Sequence, residues 1–280
     1  IQGNTIGLGM DGSTVVANGN EGVFVNTAST GTLIGTNADG SNDAAERNVI
    51  SGNANGILIV DAGTTGTLVQ GNLIGTDASG LLPRGNTFDG VRIGSGATAN
   101  VVGGSNPLHR NVISGNGQDG VQIADEASDG NTVRGNWIGV NAAGTGTLGN
   151  GGDGIYVSGG ADNTTIGGTG ANDGNWVAAA GLVGIEVDGA SSGTVIQGNR
   201  IGTDLTGTAN WGSQEDGILL ESGATNTTIG GTAAGAGNLI AFSGQGGVWT
   251  SGIAVSGAST TGNAVLGNTV YGNAGLAIDL

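Results

Sequence analysis

A four-residue pattern, glycine followed by an apolar, a variable and an apolar residue, returns along this chain at a nearly constant interval. Its glycines are Gly22, Gly56, Gly90, Gly120, Gly154, Gly184, Gly217, Gly252 and Gly275. The intervals between them are 34, 34, 30, 34, 30, 33, 35 and 23 residues. Repeats of this length are typical of solenoids, in which each unit buries its apolar face only by stacking on its neighbours.

One unit contains three short strands. In the unit from Gly90 to Gly120, residues 91–93, 100–104 and 111–116 each carry β-branched residues and are bounded by Gly or Asn. Alternating apolar and polar positions over so few residues indicate strands, with one side chain in two facing inward. The sequence therefore predicts an all-β chain folded as a right-handed parallel β-helix. We expect about eight to nine coils of 30–35 residues, with three short strands each.

Stacked coils bring equivalent residues into register, so that inward side chains form continuous ladders. The expected inward pairs are Val23/Val25, Ile57/Ile59, Val91/Ile93, Val121/Ile123, Ile155/Val157, Ile185/Val187, Ile218/Leu220, Ile253/Val255 and Leu276/Ile278. Asparagines recur at strand ends, for example at Asn72, Asn136 and Asn199. They predict ladders of side-chain amides inside the turns, each amide bonded to the one above and the one below.

Composition narrows the functional classes. The chain has 280 residues, of which 63 are glycine, and no cysteine, so stacking rather than disulfides must stabilise it. Glycine shows no three-residue period and only two prolines occur, which argues against a collagen-like chain. Acidic residues outnumber basic ones 22 to 6, for a net charge of −16, which disfavours nucleic-acid partners. No apolar run approaches the length of a membrane span, so we expect no membrane insertion.

Four segments carry a resemblance to a known family. They are residues 48–53 and 111–116 (both Asn-Val-Ile-Ser-Gly-Asn), 71–77 (Gly-Asn-Leu-Ile-Gly-Thr-Asp) and 226–231 (Asn-Thr-Thr-Ile-Gly-Gly). They resemble the repeats of the parallel β-helix repeat proteins and, more narrowly, repeat regions of large secreted bacterial surface proteins. The resemblance implies one β-helix domain over residues 1–280, as a segment of a larger extracellular or cell-surface protein. Adjacent domains or oligomer contacts would then cover the ends of the helix.

The outward residues of the first strand form a column whose middle is chemically mixed. Arg92, Gln122, Tyr156 and Glu186 follow one another there and are the candidate carbohydrate-binding residues. Immediately before these strands lie Asp89, Asp119 and Asp153, the candidate metal-binding residues. β-Helix enzymes that act on acidic polysaccharides resemble this arrangement, since they use an outer cleft with Asp-bound calcium and a basic residue that accepts a proton.

Three interpretations of the aspartates stay open. Asp-Gly is a favoured turn dipeptide, so local hydrogen bonds could be their whole role. They could hold calcium, which would relieve the repulsion between stacked carboxylates. Paired carboxylates could also act as acid and base in glycoside hydrolysis. In that case Asp89, Asp119, Asp153, Arg92 and Glu186 would be the catalytic candidates.

The remaining polar and aromatic candidates are expected to have structural roles. Asp77, Asn141 and Asp204 occupy equivalent places in longer loops and are expected to form Asx turns. The tryptophans, which could be sugar-stacking platforms, fall at different phases of the coil and are expected to pack loops. They are Trp137, Trp176, Trp211 and Trp249.

The sequence favours a secreted or cell-surface structural or adhesive module, a rigid stalk or a surface that contacts a polysaccharide or cell-surface glycan. The first alternative is a polysaccharide-active enzyme, a lyase or glycoside hydrolase, that uses the outer face of the first parallel sheet. The second is a calcium-stabilised binding module. The sequence favours a non-catalytic role over catalysis. We expect that no cofactor is required, and Ca²⁺ is the candidate ion.

Overall fold

Short strands make up almost all regular structure in the computed structural model, which describes residues 1–247 and 250–280. The strands are β1 Thr5–Ile6, β2 Val23–Val25, β3 Leu33–Gly35, β4 Val49–Ile50, β5 Ile57–Ile59, β6 Leu68–Gln70, β7 Leu73–Ile74, β8 Val91–Ile93, β9 Val101–Gly103, β10 Val112–Ile113, β11 Val121–Ile123, β12 Thr132–Arg134, β13 Trp137–Ile138, β14 Ile155–Val157, β15 Thr165–Gly167, β16 Trp176–Val177, β17 Ile185–Val187, β18 Val195–Gln197, β19 Arg200–Ile201, β20 Ile218–Leu220, β21 Thr228–Gly230, β22 Leu239–Ala241, β23 Ile253–Val255, β24 Ala264–Leu266, β25 Thr269–Tyr271 and β26 Ile278–Asp279. One α-helical turn, Asp43–Glu46, and one 3₁₀ turn, Pro107–His109, interrupt them.

The strands form three sheets that run the length of the tube. The first sheet has the order β2-β5-β8-β11-β14-β17-β20-β23-β26. The second sheet has the order β3-β6-β9-β12-β15-β18-β21-β24. The third sheet has the order β1-β4-β7-β10-β13-β16-β19-β22-β25. Each strand pairs in parallel with the strand three places along the chain, which confirms the parallel β-helix.

The core is the interior of this tube. Val121 and Ile123 of β11 are fully buried, and so are their register partners in β8 and β14. Ile113 and Val133 supply the third and second sheets in the same cluster. The inward pairs predicted from the sequence are confirmed from Val23 through Ile253. Side chains alternate between the two faces of a strand, so the register of the stacked strands fixes which residues face the interior.

The last unit departs from the predicted register. Ile253 of β23 pairs with Ile278 rather than with Leu276, so the final strand is shifted by two residues. Ala277 then stands where the repeat has its glycine, Asp279 takes the outward position, and Leu276 is exposed. The residues Leu-Ala-Ile-Asp-Leu fit either register, since both present alternating aliphatic residues. In residues 1–247 and 250–280 the ninth unit contributes β26 alone, so this described part forms eight complete three-strand coils.

Asparagine ladders close the turns, as predicted. The longest begins at Asn4 and ends at Asn268, and each side-chain amide donates to the amide oxygen one coil further on. Asn136 is a central member, with its Nδ2 3.0 Å from Asn175 Oδ1 and 2.9 Å from the Val102 carbonyl oxygen. A second ladder joins Asn53, Asn86 and Asn116. Buried amides are tolerated here because the stack gives each one a donor and an acceptor.

The outer side of the third sheet is covered by the longer loops, which occur in every second coil. Each loop is pinned by an isolated antiparallel bridge, as between Thr76 and Pro83. Leu73 and Val112, which point outward, are therefore buried in a small second cluster outside the tube. Asp77, Asn141 and Asp204 do form turns, as predicted, but they accept N–H groups four or five residues on rather than two residues on, as in an Asx turn. Asp77, for example, accepts hydrogen bonds from the backbone N–H groups of Leu81 and Leu82.

Candidate glycan-binding face

The predicted column of mixed polar residues is a continuous row on the first sheet. Arg92, Gln122, Tyr156 and Glu186 are register partners on the consecutive strands β8, β11, β14 and β17. All four side chains are half-buried. We call these four residues the outer row. Leu219 follows in β20 and is buried against Val183, so the polar row ends at Glu186.

The aspartates before these strands are buried rather than displayed. Asp89, Asp119 and Asp153 are only 1%, 7% and 4% exposed. One carboxylate oxygen of each accepts the backbone N–H of the equivalent residue in the next coil, at 3.1 Å from Asp119 N, 2.8 Å from Asp153 N and 2.8 Å from Val183 N. These hydrogen bonds run between coils, so the carboxylates stabilise stacking rather than their own turns.

The second oxygen of each aspartate faces the outer row. Asp89 Oδ2 lies 4.0 Å from an Arg92 guanidinium nitrogen. Asp119 Oδ2 accepts a 3.2 Å hydrogen bond from the Gln122 amide. Asp153 interacts with the carboxyl of Glu186. The structure therefore brings together all the residues that the sequence singled out, as an inner row of carboxyls behind an outer row of mixed chemistry.

Burial raises the pKa of several of these carboxyls. Burial, reinforced by the neighbouring Asp119 charge, raises the pKa of Asp89 to about 6, and outweighs the opposing effect of Arg92. Burial also raises the pKa of Asp153, reinforced by the Asp119 charge, and the pKa of Glu186, reinforced by the Asp153 charge. A neutral carboxyl can donate a hydrogen bond, so close packing of acidic groups does not require a cation here.

A second acidic group adjoins the row and was not singled out from the sequence. One carboxylate oxygen from each of Glu186, Asp188 and Glu221 lies within 4.8 Å of the other two. The Tyr156 hydroxyl donates a 2.9 Å hydrogen bond to Asp188. Asp188 and Glu221 are the first residues after β17 and β20, so their equivalence was readable from the repeat. The group has the oxygen donors that calcium prefers.

Calcium binding by Asp89, Asp119 and Asp153 stays a prediction. Each of these carboxylates already uses one oxygen on a backbone N–H, which leaves at most one for a metal ion.

The outer row opens into a cavity at one end. A cavity of about 500 Å³ lies in front of Arg92, between Leu58 and Phe88. Its mixture of apolar walls with a few polar groups is typical of small-molecule sites. Arg92 therefore lies between this cavity and the other three residues of the outer row.

The aspartate row makes stability depend on pH. Asp89 has its pKa raised from 3.8 to about 6, so the folded chain holds a proton that the unfolded chain releases. Its contribution is complete below pH 4 and is lost as pH rises through 6. We expect Asp89→Asn to be more stable than the wild type by about 2 kcal/mol at pH 7 and equal to it near pH 4. Denaturant titrations at several pH values measure this difference.

Asparagine suits that position, because Asn55 occupies it one coil earlier and accepts the Asp89 N–H. Asp39→Asn, in an exposed loop, is the control and should leave stability unchanged at both pH values. A wild type that stays as stable as Asp89→Asn at pH 7 would show that Asp89 ionises without cost.

Comparison with known proteins supports the fold. No family model and no curated protein matches the chain. Among solved structures, the mannuronan C-5 epimerase AlgE4 A-module of Azotobacter vinelandii is similar, with a TM-score of 0.50 and 14% identity over 94% of this chain. The chain is a parallel β-helix. It spans about half of the epimerase module, 56% of that chain.

A second β-helix structure in the comparison is an alginate lyase from Paenibacillus sp. str. FPU-7. It covers 100% of this chain and 91% of its own, at 15% identity and a TM-score of 0.37. Both neighbours are polysaccharide-active enzymes by name. Within the described part of the β-helix, no helix has the length and apolar character to cross a membrane.

The tryptophans are arranged more regularly in space than the sequence predicted. Trp137 and Trp176 are register partners in β13 and β16, and Trp211 stacks on Trp176 with the ring centres 5.2 Å apart. The expectation that the tryptophans fall at different phases is wrong for Trp137 and Trp176. Trp211 does lie at another phase, in a loop that brings its ring onto Trp176. Trp249 lies outside the described residues. None of the three belongs to the outer row.

Proposed function

We propose that this chain is a glycan-binding module of a secreted or cell-surface protein, and that the glycan lies lengthwise along the outer row. The observation that carries the proposal is the unbroken register of Arg92, Gln122, Tyr156 and Glu186 on four adjacent strands. Adjacent strands in a sheet are about 4.8 Å apart. A row of unlike groups at that spacing suits an extended polymer better than a compact ligand.

The chemistry of the row fits a carbohydrate. A phenol, an amide, a guanidinium and a carboxyl offer both donors and acceptors for sugar hydroxyls, and Tyr156 adds an aromatic surface. The cavity beside Arg92 gives one end of the polymer a pocket with both apolar walls, from Leu58 and Phe88, and polar groups. The rigid tube behind the row keeps these groups in place without ligand-induced folding.

Protonation makes the face less negative than the composition implies. The raised pKa values of Asp153 and Glu186 reduce the negative charge of this face near neutral pH. Arg92 is the one cation in the row. A neutral or weakly acidic glycan therefore meets little repulsion there, whereas nucleic acid would find no cluster of cations.

A second candidate function is acid–base catalysis on a polysaccharide. The observation that favours it is the contact between Asp153 and Glu186, in which the Asp153 charge raises the pKa of Glu186 and makes Glu186 the proton donor of the pair. Two carboxyls in contact that share one proton act as acid and base in the aspartic proteases. Tyr156 is a poor base at neutral pH, because burial and the Asp188 carboxylate raise its pKa well above the usual value.

Affinity electrophoresis in gels that contain neutral or acidic polysaccharides tests the proposed face. We expect Arg92→Ala and Tyr156→Ala to weaken binding of the preferred glycan about tenfold each, a loss of about 1.4 kcal/mol. Arg84→Gln is the control, since Arg84 contacts Ser13 in the loops on the third sheet and lies away from the row.

The same glycans, assayed for new reducing ends and for unsaturated products, separate the two functions. Binding without product supports the module. Turnover that Glu186→Gln and Asp153→Asn abolish supports catalysis. If the wild type is retarded by no glycan and releases no product, or if Arg84→Gln loses as much binding as Arg92→Ala, the outer row is not a glycan site.

A further inference from the structure

A second cavity lies on the outer side of the third sheet and shares no residue with the outer row. Its volume is about 270 Å³. Its side-chain walls include two arginines, two tryptophans, an asparagine and a leucine, namely Arg110, Arg200, Trp137, Trp176, Asn172 and Leu205. We call it the arginine–tryptophan pocket. The chain has only six basic residues, so the presence of two in one pocket is a notable concentration of positive charge.

Glycines create the space for this pocket. Arg110, Gly135, Gly174 and Gly198 precede the ladder asparagines of four successive coils. Close packing between coils requires the last three to lack a side chain. A Cβ on Gly135, for instance, would lie 2.8 Å from the Asn172 carbonyl oxygen. The result is a trough lined by main chain, with the Arg110 side chain at one end.

Aromatic packing makes one wall rigid. The ring centres of Trp137 and Trp176 are 5.3 Å apart, with the rings nearly perpendicular. The Trp176 indole N–H donates a 2.6 Å hydrogen bond to the Thr203 carbonyl oxygen, which anchors the loop that carries Leu205. The Arg110 guanidinium lies 4.3 Å from the centre of a Trp137 ring, a cation–π contact that holds this cation at the pocket.

Neither guanidinium is neutralised by the part of the chain that the structure describes. Within residues 1–247 and 250–280, no carboxylate lies within 4 Å of Arg110 or Arg200. Arg200 donates one hydrogen bond, to the Asp204 main-chain oxygen at 3.2 Å. The Asp204 carboxylate is used inside its own loop, where it accepts from Thr206 and the backbone. Both arginines therefore retain unused N–H donors.

The geometry points to a binding site for one acidic sugar residue, with its carboxylate paired to one guanidinium of the pocket and its hydroxyls hydrogen-bonded by the other. Guanidinium groups match carboxylates through paired N–H donors. The indoles and Leu205 offer an apolar wall to the ring C–H groups of a sugar, and the Asn172 amide is available to its hydroxyls. The volume suits one sugar unit. This site is separate from the outer row and does not depend on the function proposed for that row.

Titration with sodium glucuronate, followed by calorimetry and by tryptophan fluorescence, tests the site. We expect saturable binding with a Kd on the order of 1 mM, and none with glucose. Arg110→Gln and Arg200→Gln should each weaken it at least about tenfold. Arg47→Gln is the matched control. Arg47 holds the same position in an earlier coil, and its Nε donates to the Gly71 carbonyl oxygen. It should bind as the wild type does.

Two further variants separate a loss of binding at this pocket from misfolding and from binding at the outer row. Asn172→Ala changes an exposed turn residue and should weaken glucuronate binding about threefold, even if an arginine variant fails to fold. Arg92→Ala should leave this titration unchanged, which separates it from the outer row. The proposal is overturned if glucuronate does not bind, if acetate or an acidic peptide binds as tightly as glucuronate, or if Arg47→Gln loses as much affinity as Arg110→Gln.

Discussion

Replacing Gly120 by alanine should destabilise the protein by about 3 kcal/mol, although the change adds only one methyl group. A Cβ at this position would lie 2.6 Å from the Gly154 carbonyl oxygen and 2.6 Å from the Ile138 side chain. The backbone there is not left-handed, so the glycine is required by the approach of the next coil. The repeated glycine that defines the sequence pattern is thus a packing requirement. Guanidinium denaturation followed by circular dichroism measures the loss.

Gly19→Ala is the matched control for this prediction. No atom lies within 4 Å of a Cβ built on Gly19, and its backbone is likewise not left-handed. This variant should stay within about 0.5 kcal/mol of the wild type. Equal losses for the two variants would contradict the prediction, because the effect of alanine on the unfolded chain is stabilising and Gly19 has no coil contact to lose.

Replacing Asn136 by alanine should cost about 4 kcal/mol, because it interrupts the longest amide ladder near its middle. The Asn136 amide donates to the Val102 and Arg134 carbonyl oxygens and to Asn175 Oδ1, and its own oxygen accepts from Asn111. Removing the side chain leaves several buried polar groups without a partner.

Hydrogen exchange shows where the Asn136→Ala chain opens. Because each coil contacts only its neighbours, we expect protection to fall first at the amides of β12 and β13 and to persist in distant coils. Asn141→Ala is the control, since Asn141 lies in a surface loop outside the ladder, and it should cost less than about 1 kcal/mol. A loss for Asn136→Ala as small as this would show that the ladder adds little to stability.

Much of the candidate site followed from the repeat alone. Once the glycine pattern fixed which residues were equivalent, the neighbours of Arg92 and Gln122 on the adjacent strands were determined. Parallel stacking converts a sequence interval into a spatial neighbour, so the outer row could be predicted without knowledge of side-chain contacts. The inner aspartates were also placed correctly, but their hydrogen bonds to the next coil were not foreseen. Those depend on side-chain rotamers that a repeat pattern does not specify.

The sequence by itself determined the architecture, the inward aliphatic pairs and the amide ladders, because strand period and coil length leave one arrangement that buries them. Only the tertiary structure decided the protonation of Asp153 and Glu186, the grouping of Glu186 with Asp188 and Glu221, and the pocket beside Trp137. These features arise where loops of unequal length fold over the sheets and where burial acts on several charges at once. Such effects depend on distances in space that the intervals between repeats do not encode.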